Sequence, residues 1–145
     1  MGKLRPAFRD AADDYLRRLG RYTRIAEIEV REAGRGKGAE EGRRLEGSRL
    51  RGRVPEGAEL VALERGGPGW TSEELARRLG RWQDTSRSVA FLLGGSEGLD
   101  PDLVAAAPTR WSLGALTLPH ELARVVVLEQ LYRGFTILRG EPYHK

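Results

Sequence analysis

The chain has 145 residues, with 25 lysines and arginines against 21 aspartates and glutamates, a formal charge of +4 and a pI near 9.8. It lacks cysteine, which excludes a disulfide framework and a thiolate metal site, and no apolar run approaches membrane-spanning length. Without a signal-peptide pattern, residues 1–145 are expected to form one soluble cytoplasmic domain, whose mild basic excess leans towards a polyanionic partner.

Residues 6 to 19 predict a helix opening at Pro6, with Phe8, Ala12, Tyr15, Leu16 and Leu19 in one apolar stripe, ended by Gly20. Arg24 to Val30 alternates and predicts a half-exposed strand, with Ala26, Ile28 and Val30 on the inner face and Glu27 and Glu29 on the outer. From Arg31 to Arg53, eight basic residues (Arg31, Arg35, Lys37, Arg43, Arg44, Arg49, Arg51 and Arg53) lie among acids and glycines. Leu45 and Leu50 are the sizeable apolar side chains there, so a mobile loop and then a highly charged helix are expected. Two roles stay open for this stretch: an RNA-facing patch that grips phosphate, or a solvated surface.

Glu59 to Glu64 predicts a second strand, followed by the turn Gly66-Gly67-Pro68-Gly69. Thr71-Ser72-Glu73-Glu74 is a capping box, opening a helix with Leu75, Leu79 and Trp82 on one face. Val89 to Leu93 is a continuous apolar run, as in a strand buried on both faces of a parallel sheet. It stops at Gly94-Gly95-Ser96-Glu97-Gly98, and Asp100-Pro101 then starts a short helix. A second apolar stretch, Leu113 to Leu118, ends at Pro119-His120. The longest helix is expected from Pro119 to about Gly134, apolar enough through Leu122, Val125, Val126, Leu128 and Leu131 to pack on the sheet and on a second subunit. Phe135 to Leu138 predicts a short strand, and Arg139 to Lys145 a polar tail in which Tyr143 alone can join a core. Helices and strands alternate, which argues for an α/β fold with a mainly parallel sheet flanked by helices.

Ligands of open α/β sheets sit at the carboxyl ends of strands, which directs attention to the glycine loop at 94–98 and to 113–118. The G-G-x-x-G spacing matches neither the dinucleotide nor the P-loop fingerprint, and Glu97 would repel a phosphate. Leu113 to Leu118 offers peptide groups and apolar walls suited to a flat, uncharged ring such as adenine. The residues therefore point to a nucleoside-like pocket without a triphosphate subsite, or to a tight turn with structural glycines.

GGSEG at 94–98, LTLPHELARVVVLEQLYRGFTI at 116–137 and the terminal EPYHK resemble the RlmH family. These are SPOUT-class enzymes that methylate N3 of a pseudouridine in bacterial 23S ribosomal RNA with S-adenosylmethionine. The resemblance runs from about Gly2 to Lys145. It implies an α/β sheet whose C-terminal part is tied into a trefoil knot, a homodimer, no metal, and action on the assembled ribosome. It also implies cofactor contacts at Leu63, Gly94 and the loop Leu113, Gly114, Ala115, Leu116, Thr117 and Leu118. Family members carry an apolar strand ahead of the segment seen here as Gly2-Lys3, so the fold is expected to lack the family's first β-strand.

The proton on N3 calls for a base or a charge-stabilising group. His144, Tyr143 and Arg133 are the catalytic candidates, with the tail capping the site and touching RNA. His120, at a helix start, is expected to be structural. Arg124 and Arg133 suit rRNA phosphate or charge stabilisation, or ion pairs with Glu121 and Glu129. The alternatives are a catalytically inactive knotted ribosome- or RNA-binding factor, a SPOUT methyltransferase acting on another RNA, and an unrelated doubly wound nucleotide-binding enzyme.

Overall fold

The computed structural model describes residues 2–34 and 36–145; Met1 and Arg35, the latter counted above in the basic segment, lie outside the described residues. The elements in chain order are α1 (Pro6–Leu19), α2 (Ala39–Arg51), β1 (Glu59–Leu63), α3 (Ser72–Asp84), β2 (Val89–Leu92), α4 (Pro101–Ala106), β3 (Thr109–Trp111) and α5 (His120–Leu138). The three strands form one parallel sheet in the order β2-β1-β3. The chain is α/β, as expected, and it divides into two compact units, each built from three separate stretches of sequence.

The first unit (1–3, 28–69 and 87–120) holds the sheet. Val61 and Ala62 are fully buried, so β1 is the central strand. The run at 89–93 was expected to be buried on both faces; β2 instead flanks β1, and its first three residues are only half-buried. A continuous apolar run marks a covered strand but does not say which strand is central. Leu92 joins Val30, Leu50 and Leu103 in a buried cluster, with Leu60, Ala90 and Leu99 packed against it. On the opposite face of the sheet, Phe91 and Trp111 meet edge to face at 6.2 Å.

Sequence gave α2 little apolar surface, and its buried face explains how it is held. That face is Gly42, Glu46, Gly47 and Leu50. Glu46 accepts from the Ala33 N–H at 2.8 Å, and Arg49 donates to the carbonyls of Arg31 and Glu32. Gly47 faces Asp100, the residue whose carboxylate caps α4; an added Cβ would lie 2.5 Å from Asp100 Cβ.

The second unit (4–27, 70–86 and 121–145) packs α1, α3 and α5. Its core includes Ala12, Leu19, Leu75, Leu79, Val127, Leu128, Leu131 and Phe135. The capping box of α3 is present: Thr71 Oγ1 accepts from the Glu74 N–H, and the Glu74 carboxylate accepts from the Thr71 N–H at 2.8 Å. Gly134 does not end α5. It lies where the helix approaches α3, since a Cβ there would meet Leu79 Cδ1 at 2.6 Å. Phe135 to Leu138, expected as a strand, continue the helix. Burial of Phe135 and Thr136 outweighs the modest strand preference of such residues.

Arg24 to Val30 forms no strand. Its face is also inverted at the start: Ile25 and Glu27 are half-buried, while Ala26 and Ile28 are exposed. Glu27 turns inward because Arg9 and Arg124 meet its carboxylate, and a paired charge can be buried where a lone one cannot. One backbone hydrogen bond, Gly2 N–H to the Val30 carbonyl at 3.0 Å, ties the end of the segment to the N-terminal residues.

Gly47→Ala should lower stability by about 1–3 kcal/mol, because the added methyl must displace the cap of α4. Urea unfolding should show an earlier midpoint at an unchanged slope; an unaltered midpoint would mean that the close approach is not needed.

Candidate active site

The loops singled out in the sequence follow directly from the carboxyl ends of the three strands. The register sets Leu63 opposite Trp111 and Ala62 opposite Leu92, so β1, β2 and β3 end almost level. Leu63 is the last residue of β1, Gly94 follows β2 by two residues, and the 113–118 stretch follows β3. Thus Leu63, Gly94 and the loop from Leu113 to Leu118 belong to adjacent strand ends. Sequence reasoning missed β3 itself, since a three-residue strand with Arg110 at its centre carries no alternation to read.

Two of these loops are laced together. Glu64 N–H donates to the Trp111 carbonyl at 3.0 Å, Ser112 N–H to the Pro68 carbonyl at 2.9 Å, and the Arg65 guanidinium to Thr117 Oγ1 at 3.2 Å. The glycine loop closes on itself through Gly98 N–H and the Gly95 carbonyl, with Gly98 at φ 82°. A Cβ on Gly94 would lie 2.6 Å from the Leu99 nitrogen and closer still to Gly98, so only glycine fits there. Between 113 and 118, Gly114, Ala115, Leu116 and Thr117 are exposed, while Leu113 and Leu118 are half-buried. Leu116 is 81% exposed between the exposed residues Ala115 and Thr117, a surface suited to a ligand with an apolar ring.

The catalytic candidates belong to the second unit. Tyr143 packs against Tyr132 at 4.8 Å, edge to face, and lies 4.8 Å beneath the Arg133 guanidinium. Its hydroxyl donates to Glu129 at 3.2 Å, and Arg133 donates to the same carboxylate at 2.6 Å. His144 makes two contacts, with Glu73 Oε1 at 2.9 Å and with Arg133 at 3.4 Å. The tail is therefore held in place. An aromatic pair contributes about 0.5–1.5 kcal/mol and an exposed ion pair less than about 1 kcal/mol, so Tyr143 is the main anchor. Burial, then a hydrogen bond to Tyr15, raises the phenol of Tyr143 well above its ordinary value. A hydrogen bond to Glu141 pushes Tyr22 up to about 12.

The other cations are committed locally. Arg124 is buried and donates to Glu27 at 3.0 Å. Glu121, also buried, receives both the backbone N–H and the side chain of Arg5. His120 lies 3.6 Å from Glu32. Among the described residues of the basic segment, Arg44 pairs with Glu40, Lys37 pairs with Glu41, and Arg49 holds backbone carbonyls, while Arg43 is half-buried and Arg31, Arg51 and Arg53 are exposed. Among the described residues no cluster of three His, Cys, Asp or Glu side chains could hold a metal, and no helix is long and apolar enough to cross a membrane.

Comparison with known proteins decides the family. The family model described as "Predicted SPOUT methyltransferase" matches residues 1–144. The chain is a SPOUT methyltransferase. It is 47% identical over 144 residues to the ribosomal RNA large subunit methyltransferase H of Hyphomonas neptunium, covering 94% of this chain and 89% of that protein. It is 49% identical over 150 residues to the same-named protein of Rubrobacter xylanophilus, covering 99% and 94%. The same-named protein of Pseudomonas aeruginosa is 44% identical over 134 residues, covering 91% and 86%. As a SPOUT methyltransferase, the chain presents its strand-end loops in the part of an α/β fold where ligands bind.

The raised tyrosines set a sign for alkaline pH. An unfolded phenol ionises near pH 10, whereas the folded forms hold their protons longer. The stability they contribute is complete below about pH 10 and is lost as pH rises through the folded values. Melting temperature should fall from pH 10 to 12, and less steeply in Tyr22→Phe. Equal slopes would mean that the Tyr22–Glu141 bond is not formed in solution.

Proposed function

We propose that this SPOUT methyltransferase transfers the methyl group of S-adenosylmethionine to N3 of a pseudouridine in 23S ribosomal RNA on the assembled ribosome. One observation carries the proposal: the motif loops stand at the level ends of three adjacent parallel strands, two of them laced together. The names of the relatives supply the RNA class. The family's homodimer and trefoil knot belong to the same proposal.

The residues at the strand ends fit the cofactor. Its adenine suits the exposed peptide groups and the leucines of Leu113 to Leu118, with Leu63 as a further apolar wall. Gly94 keeps side chains out of the adjoining turn. The sulfonium is positive, so Glu97 in the exposed glycine loop, which would repel a phosphate, is no obstacle. When bound, S-adenosylmethionine supplies an already activated methyl group, so the protein's task is alignment and removal of one proton.

In this proposal His144 takes the N3 proton, Arg133 offsets negative charge developing on the uracil ring, and Tyr143 holds the tail that carries the histidine. Tyr143 suits an anchor because its hydroxyl is engaged with Glu129 and its proton is firmly held.

Labelled methyl groups should pass from S-adenosylmethionine to bacterial ribosomes and not to ribosomes lacking the target pseudouridine. Label on both would refute the base assignment, and label on neither would refute the reaction. His144→Ala should slow transfer by about 100-fold, the scale of general-base catalysis, with cofactor affinity kept. Loss of both together would indicate misfolding in place of a catalytic role.

A further inference from the structure

Glu73 has no part in the mechanism derived so far. The capping box of α3 uses Thr71 and Glu74, and Glu73, in the first turn of the same helix, reaches His144. Its Oε1 lies 2.9 Å from His144 Nε2, while Nδ1 lies 3.4 Å from an Arg133 nitrogen. A carboxylate only accepts hydrogen bonds and a guanidinium only donates them. The neutral ring therefore carries its proton on Nε2, directed at Glu73, and turns the Nδ1 lone pair towards Arg133.

The two contacts are unequal. The Glu73 bond has ordinary length, whereas 3.4 Å is near the limit for a hydrogen bond. Arg133 is also held by Glu129 at 2.6 and 3.0 Å. Nδ1 is thus the nitrogen that an incoming N–H group can claim, while Nε2 stays committed. Glu73 is suited to keep its charge: contacts from its own backbone N–H, from Thr71 and from His144 hold its carboxyl below the ordinary glutamate value.

We infer that Glu73 is a positioning residue for methyl transfer, holding His144 by Nε2 so that Nδ1 receives the substrate proton. The inference rests on the role proposed above for His144. As the N3–H bond breaks, the proton passes to Nδ1 and the N3 electron pair forms the new bond to the methyl carbon. The electrons of the old carbon–sulfur bond leave with the sulfur, which becomes a neutral thioether. The imidazolium keeps its Nε2–H on the Glu73 carboxylate, which orients the ring and balances its charge, the role an aspartate plays in a hydrolase triad. Solvent then takes the proton from Nδ1.

Nitrogen-correlated NMR of the two imidazole rings in the full chain, assigned with His144→Ala, reads the tautomer directly. The wild type should show His144 protonated on Nε2. Glu73→Gln should keep that form, since its amide oxygen still accepts, and Glu73→Ala should give a mixture. In methyl transfer to ribosomes, Glu73→Ala should lower kcat about 10-fold at unchanged cofactor affinity, a part of the general-base contribution, and Glu73→Gln should recover most of it. An Nδ1-protonated ring in the wild type overturns the inference. So does wild-type kcat in Glu73→Ala beside an impaired His144→Ala, and in that case the role of His144 survives. If His144→Ala transfers methyl at the wild-type rate, the role of His144 falls and this inference falls with it.

Discussion

The parallel pairing of β1 with both of its neighbours is the constraint on which the first unit depends. Five residues of β1 set the register of β2 and β3, and that register brings the ends of all three strands to one level. Beside the exposed Ser96, Glu97 and Thr117, these ends present largely backbone and apolar side chains such as Leu116. Glycines at 94 and 98 shape one turn, and peptide hydrogen bonds join the loops after β1 and β3. The position of the candidate cofactor site is thus a matter of main-chain geometry, and side-chain chemistry only finishes it.

The second unit follows another logic, with side chains deciding where backbone goes. Glu27 is drawn inward by Arg9 and Arg124, and Glu121 anchors the start of α1 through Arg5. Glu129 gathers Arg133 and Tyr143. Glu27 and Glu121 bind residues far away in sequence, through Arg124 and Arg5, while Glu129 works within its own helix and the tail. Removing any of them would strand a cation as well as lose a bond. The tail inherits its order from this arrangement. A terminal heptapeptide with a single aromatic side chain would ordinarily fray, yet Tyr143 lies among Tyr132, Arg133 and Glu129.

Local chemistry made much of the fold legible. Pro6 and Gly20 bracket α1, Thr71 and Glu74 announce α3, and Asp100-Pro101 opens α4, because each signal acts within a few residues of its source. What escaped was decided at a distance. Trp111 is buried in a strand too short to carry a pattern. Gly134 looked like a stop, but its missing side chain makes room for Leu79. Glu27 looked like a solvent-facing residue until its two arginine partners came into view. The loops at 94–98 and 113–118 were legible from glycines and apolar runs at strand ends, whereas Leu63 and the tail were picked out by motif resemblance. The contact of His144 with Glu73 had no signal at all, since 71 positions separate the two residues.

The sheet order has a kinetic side. Among the described residues β2 and β3 each pair only with β1, and the parallel partners of Glu59 and Val61 are Val89 and Thr109, so every pairing closes a loop of dozens of residues. Loop entropy must be overcome before such contacts stabilise anything, which makes long-range parallel pairing slow. The loops after β1 and β3 gain their mutual hydrogen bonds only once Thr109 to Trp111 has docked. Until that step the chain can own its first strand pair and still lack the joined loops at the strand ends. The laced pair of loops is therefore among the later features to form.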